Sequence, residues 1–176
     1  FAPDHPLFLD TLGMHGALCA NVAVNESDLV LALGVRFDDR VTGNVDGFIV
    51  EGKVIHIDID RGELNKNKTV TLGVCADVGL ALVQLCERVQ PGHNGEWLSY
   101  LRQLKAKNPY PVPETSGINP QEAIRLLSEL TAGEALVSMG VGQHQMWAMQ
   151  HYRSRHTRSF LRSSGFGTMG YGLPAA

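Results

Sequence analysis

Leu29-Val30-Leu31-Ala32-Leu33, opened by Asp28, runs directly into Gly34-Val35-Arg36-Phe37-Asp38-Asp39-Arg40-Val41-Thr42-Gly43. Five consecutive apolar residues between an acid and a glycine read as a buried strand of a parallel sheet, and ligands of such sheets gather beyond the carboxyl ends of the strands. The charged residues therefore fall where a ligand would sit. Two arginines and two aspartates within five positions supply guanidiniums that can grip a diphosphate and carboxylates that can aim them or take sugar hydroxyls. The same residues, met without any relative, read equally well as a salt-bridged surface loop.

The chain around this stretch alternates helix and strand. Residues 16–26 place small apolar side chains at helical spacing, and residues 53–58, with Val54, Ile55 and Ile57, read as a second strand. Residues 69–72 read as a short third, and Asp77 caps a helix over 78–89. That alternation predicts a parallel α/β sheet. Residues 96–107 form an amphipathic helix with Trp97, Leu98, Leu101 and Leu104 on one side, and the run Asn108-Pro109-Tyr110-Pro111-Val112-Pro113 then excludes helix. Asn119 with Pro120 at the first helical position opens another helix through Leu130, followed by a strand over 135–139. The expected organisation is an α/β domain over 1–107, a linker over 108–118 and the start of a second α/β domain over 119–176. No internal repeat is visible.

The 176 residues are 44% apolar, enough for a buried core, so disorder is excluded. The formal charge of −3 arises from interspersed signs with no basic block. That argues against nucleic acid or a membrane surface as partner and for small soluble ligands. Cys19, Cys75 and Cys86 are far apart and outside any metal-ligand spacing, so they read as reduced thiols in a cytosol-like compartment. No apolar run approaches the roughly 20 residues of a membrane-spanning helix, and no signal peptide is visible. Phe1-Ala2-Pro3-Asp4 lacks an initiator Met, and Gly170-Tyr171-Gly172-Leu173-Pro174-Ala175-Ala176 stops where a helix would be starting, so the sequence reads as a fragment of a larger chain.

Asp4-His5-Pro6-Leu7, Leu12-Gly13-Met14-His15-Gly16, the run Gly34 to Gly43, His56-Ile57-Asp58-Ile59-Asp60 and Val141-Gly142-Gln143-His144-Gln145-Met146-Trp147 occur in this order. Together they resemble the catalytic subunit of the acetohydroxyacid (acetolactate) synthase family, within the thiamine-diphosphate enzymes. The resemblance runs along the whole chain and is weakest between Gln90 and Thr115. It implies a Rossmann-like central domain that binds FAD as a structural cofactor, then the start of a domain that binds thiamine diphosphate with Mg²⁺. It also implies condensation of pyruvate with a second 2-oxoacid, pyruvate or 2-oxobutyrate, at the entry to branched-chain amino-acid biosynthesis.

Carried onto this sequence, the resemblance places FAD against Gly13, Met14, His15 and Gly16, and against Gly34, Val35, Arg36, Asp38 and Arg40 for its phosphates and ribityl region. Asp58 and Ile59 would take the adenosine ribose, Glu63 and Asp77 would complete that end, and Gln145 and Met146 would face the flavin. Read alone, the glycine-bounded turn at His15 is more simply structural. Ala76 stands where the family has a glycine, which departs from close backbone approach to the adenine. Val141, Gly142, Gln143 and His144 would meet the diphosphate of thiamine at a strand-to-helix turn. Gly167 would accept from the aminopyrimidine, and Met169 would sit between the two thiamine rings. Trp147 receives no role.

Gly165-x-Gly167-x-x-Gly170 matches a dinucleotide fingerprint literally. A true fingerprint opens a βαβ unit with an acid about 20 residues on, and the sequence ends first, so this one is rejected as a nicotinamide site. The catalytic glutamate and the Mg²⁺ ligands of the family fall outside this sequence, so no catalytic or metal-binding residue is expected in it. The resemblance further implies a homodimer or homotetramer with the active site at a subunit interface, and admits a regulatory small subunit. The location is cytoplasmic, or plastid or mitochondrion in a eukaryote. Glyoxylate carboligase and pyruvate oxidase are the neighbouring alternatives, and a nucleotide-binding module without catalysis is the alternative from another class.

Overall fold

Helix α1 (Leu18–Glu26) buries Cys19, Ala20 and Ala23 and delivers the chain into β1 (Leu29–Leu33). The computed structural model describes Pro3 and residues 5–176; Phe1, Ala2 and Asp4, quoted above, lie outside the described residues. Strand β1 pairs in parallel with β2 (Lys53–Asp58), and β2 with β3 (Leu72–Cys75), in the order β1-β2-β3. Leu31 stands opposite Ile55, and Ile55 opposite Leu72. Side chains alternate across a strand. One face thus presents Val30, Ala32 and Val54 to a core completed by Phe37, Phe48 and Ile49, while the other carries the exposed Leu29, Leu31 and Leu72.

The third strand lies later than the sequence suggests, at Leu72–Cys75 instead of 69–72. Thr71 opens the ladder with both backbone and side chain: its N–H donates to the Val54 carbonyl at 3.0 Å, and its Oγ1 accepts from the Val54 N–H at 3.1 Å. The ladder then runs through Gly73, a residue that weakens a strand signal. Asp77 caps α3 (Val78–Cys86) by accepting from Leu80 N–H at 2.9 Å, and the helix ends three residues before the expected limit. A short α2 (Asp39–Thr42), α4 (Gly95–Lys107) and two 3-10 turns at Val45–Gly47 and Arg61–Glu63 complete the elements of this part.

The chain packs as two units, one of Leu12–Asn108 and one that joins the segment through Thr11 to Pro109–Ala176. In the second unit Asn119 accepts from the Gln121 and Glu122 N–H groups and Pro120 occupies the first turn of α5 (Pro120–Leu130). Strand β4 (Val137–Met139) pairs in parallel with β5 (Phe160–Arg162), and α6 (Gln143–His151) connects them. The three-residue β5 carries too short a pattern to be read from sequence, and β4 begins two residues later than expected.

Asp10, with φ +75°, ties the amino-terminal segment into this second unit. Its Oδ2 accepts from Arg153 Nη1 at 2.8 Å, and the Tyr110 hydroxyl stands 3.4 Å from its Oδ1 and 3.4 Å from Thr11 Oγ1. Burial is the main cause that pushes the Tyr110 phenol from 10.0 up to about 12, and the Asp10 carboxylate adds to it. The His151 ring meets Tyr110 edge to face at 5.9 Å, and its Nε2 is buried with no hydrogen-bond partner. Burial first, and Arg153 second, hold its pKa below the ordinary 6.5.

Both shifts set a pH dependence. A raised Tyr110 contributes stability that is present below pH 10 and lost as pH rises through about 12. A lowered His151 contributes stability that is present above 6.5 and lost as pH falls through its folded value. In an ultraviolet titration of phenolate, Tyr110 accordingly ionises late, near 12. Tyr110→Phe removes that late component; an unchanged curve in the variant contradicts the assignment.

Candidate cofactor-binding loops

The three strand ends of the first unit align. Gly34 takes a left-handed φ of +62° at the exit of β1 and donates its N–H to Ile57 O at 2.9 Å, while Ala76 N–H donates to Asp58 O at 3.0 Å. Gly34, Val35, Asp58 and Asp77 therefore belong to one rim. Beyond Gly34 the chain buries Phe37 and leaves Arg36 and Arg40 exposed, with Asp38 between them partly so. Phe37 has φ +49°, a conformation uncommon for a bulky residue, and its burial holds it there.

Asp38 does two jobs. Its Oδ1 caps α2 by accepting from Arg40 N–H at 3.1 Å, and its Oδ2 pairs with Arg36 Nη2 at 3.4 Å. An exposed pair of this kind adds little stability; its effect is to aim Arg36. Asn67 Nδ2 donates to the Arg36 carbonyl at 2.9 Å and steadies the same loop.

The Gly13-Met14-His15-Gly16 turn docks onto this loop. Met14 N–H donates to Arg40 O at 2.8 Å, and Arg40 Nη1 stands 3.9 Å from Met14 Sδ. Asn21 of α1 grips Gly13 twice, accepting from its N–H at 2.9 Å and donating to its carbonyl at 3.0 Å. Two segments that are far apart in sequence thus form one surface. Asn21 and Asn67 were missed by sequence reading; an amide inside a small-residue helix and another in a polar loop give no pattern that separates them from surface residues.

At the end of β2, Asp58 is buried and accepts from Asp60 N–H through Oδ1 at 2.8 Å, whereas Ile59 is exposed. Glu63 accepts from Lys66 Nζ at 2.7 Å through Oε1, and its Oε2 is buried with no hydrogen-bond partner. An orphaned buried carboxylate oxygen suits a ligand hydroxyl or amine. Asp77 has one oxygen committed to its helix cap.

In the second unit, Val141 and Gly142 follow β4, and Gly142 takes φ +151° ahead of α6. The His144 ring folds back over the turn so closely that a Cβ at Gly140 or Gly142 would lie 3.2 Å from it. A Cβ at Gly172 would lie 2.5 Å from Gly140 N, so the glycine turn over 167–172 seats directly on the end of β4. Gln143 and His144 are exposed, and their helix-start N–H groups have no intrahelical acceptor. The donor set suits an anion. Gly167 has φ +63°, Met169 is exposed, and Gln145 and Met146 are half-buried on α6. Among the described residues no group of three or more histidines, cysteines or acids is placed to hold a metal ion, and no helix is long and apolar enough to cross a membrane.

Parallel α/β units with anion-suited loops at their strand ends are of the class in which nucleotide- and diphosphate-type ligands are commonly bound. Residues 1–85 match the family model of the thiamine pyrophosphate enzyme central domain, and residues 140–176 that of the C-terminal TPP binding domain. The chain belongs to the thiamine pyrophosphate enzyme family. It is 48% identical to acetolactate synthase 1, chloroplastic, of Zea mays, covering 100% of this chain and 29% of the relative. It is 49% identical to the probable acetolactate synthase 2, chloroplastic, of Oryza sativa subsp. japonica, over 100% and 28%. It is 51% identical to acetolactate synthase 3, chloroplastic, of Brassica napus, over 97% and 27%. The chain thus spans less than a third of the length of these relatives.

Proposed function

We propose that the chain is part of an acetolactate synthase that joins pyruvate to pyruvate or 2-oxobutyrate with loss of CO₂. The observation that carries this reading is the identity of 48% with a named acetolactate synthase over 100% of the chain. The loop geometry supports it. In the proposal, Arg36 and Arg40 hold the FAD diphosphate, Asp38 aims Arg36, and the Gly13 to Gly16 turn and Val35 lie along the flavin. Asp58, with Ile59, takes the adenosine ribose, and Glu63 and Asp77 close that end.

Thiamine diphosphate supplies, when bound, the electron sink for decarboxylation and carbon–carbon bond formation. The chain's own part is to bind its diphosphate through Gln143, His144 and the Val141-Gly142 turn, to accept from the aminopyrimidine at the Gly167 carbonyl and to fill the space between its rings with Met169. Mg²⁺ belongs to the proposal, although the described residues offer no cluster to hold it. Oligomers with shared active sites, a regulatory small subunit and, by analogy with the chloroplastic relatives, a plastid location complete the reading.

The test uses the complete gene product with pyruvate, thiamine diphosphate, Mg²⁺ and FAD. Acetolactate is the expected product. Condensation of glyoxylate alone, or acetyl phosphate with flavin reduction, overturns the proposal. In the same protein Arg40→Ala is expected to weaken FAD tenfold or more, because a charge-assisted hydrogen bond is worth roughly 1.5 to 3 kcal/mol. Undiminished flavin retention would return the loop to a surface salt bridge.

A further inference from the structure

His56 sits on β2 between Val54 and Asp58, on the face of the sheet that carries the core. It is 0% exposed, and neither ring nitrogen has a hydrogen-bond partner. A polar ring without partners is costly in a core made of Ala32, Phe37, Phe48 and Val54, where an apolar side chain would serve the packing better. What the ring faces explains it. Nε2 stands 3.7 Å from Asp58 Oδ2, and the ring meets Phe37 edge to face at 5.1 Å and 82°. The other oxygen of Asp58 is already held by the Asp60 N–H at 2.8 Å.

We infer that His56 is a positioning residue for Asp58: an imidazole with its proton on Nε2 that orients the carboxylate while bracing Phe37, the residue between Arg36 and Asp38. A closing movement of about 0.8 Å turns the Nε2 to Oδ2 approach into a hydrogen bond. The ring thereby links the two parts of the site, the arginine loop after β1 and the carboxylate at the end of β2. The ligand side of this inference rests on the reading of Asp58 as the ribose-binding group; the orientation of the carboxylate does not.

Substitutions separate positioning from packing. Gln places its amide nitrogen near the position of Nε2, Asn near that of Nδ1, and Phe keeps the ring without a donor. In the chain, hydrogen exchange at the Asp60 amide should quicken about tenfold or more in His56→Phe and His56→Asn and stay within about twofold of wild type in His56→Gln. FAD affinity of the complete gene product should follow the same order. Nitrogen NMR of the unsubstituted chain, which needs no variant to fold, should show the His56 proton on Nε2. A proton on Nδ1 alone, or Phe serving as well as Gln, overturns the inference. If the exchange order holds but the unsubstituted gene product binds no FAD, the flavin reading of Asp58 falls and the positioning role stands.

Discussion

Gly13→Ala should lower the stability of the first unit by about 3 kcal/mol, a large share of the roughly 5 to 15 kcal/mol that holds a domain together. At φ +100° a Cβ on this residue would lie 2.3 Å from the Arg40 carbonyl oxygen and 2.9 Å from Val41 Cα. Both obstacles are backbone, so neither can swing aside. The turn has to leave the arginine loop, losing the Met14 to Arg40 hydrogen bond and the double grip of Asn21. Gly95→Ala is the control: at the start of α4 this glycine has no positive φ and nothing lies within 4 Å of the added Cβ, so stability should stay level or rise slightly. Urea midpoints of the two variants check the contrast. Equal losses would mean that the docking of the Gly13 turn onto Arg40 contributes nothing.

Phe37→Ala is expected to cost more, about 3 to 5 kcal/mol, because a buried aromatic ring leaves a cavity that its neighbours fill only in part. Phe37 packs in the core with Ala32, Ile49 and Val54, and its ring meets Phe48 at 6.4 Å and His56 at 5.1 Å. The same ring anchors the loop, so the proposed flavin affinity should fall with it, although Phe37 is buried while Arg36 and Arg40 are exposed. Denaturation and flavin titration of one variant read both effects. A stability loss under about 1 kcal/mol would contradict the burial of this residue.

Much of the fold is legible because its signals are local. The run Leu29–Leu33, the alternation through Val54, Ile55 and Ile57, the Asp77 cap and the Asn119-Pro120 start each depend on a few neighbouring residues, and the structure forms those elements. The third strand lies beyond where its pattern points because Gly73 interrupts that pattern and Thr71 enters the ladder by its side chain. For the site, the charged residues after Gly34 announce themselves. Their support does not: Asn21 reaches Gly13 across eight residues, Asn67 reaches Arg36 across 31, and the burial of His56 follows from what packs on β2. Such roles arise from tertiary neighbours, which no spacing rule encodes.

The ion pair of Asp10 with Arg153 spans 143 residues of chain. Its consequence lies in the order of synthesis. At about 5 to 20 residues per second, residue 10 waits roughly 7 to 30 s on the ribosome before its arginine has been made. The Leu12–Asn108 unit, whose contacts all lie within that interval, is complete in sequence well before then. Asp10 and Thr11 thus emerge ahead of the Leu12–Asn108 unit yet find their places only after it has been made, and the closure of this long loop follows the synthesis of that unit.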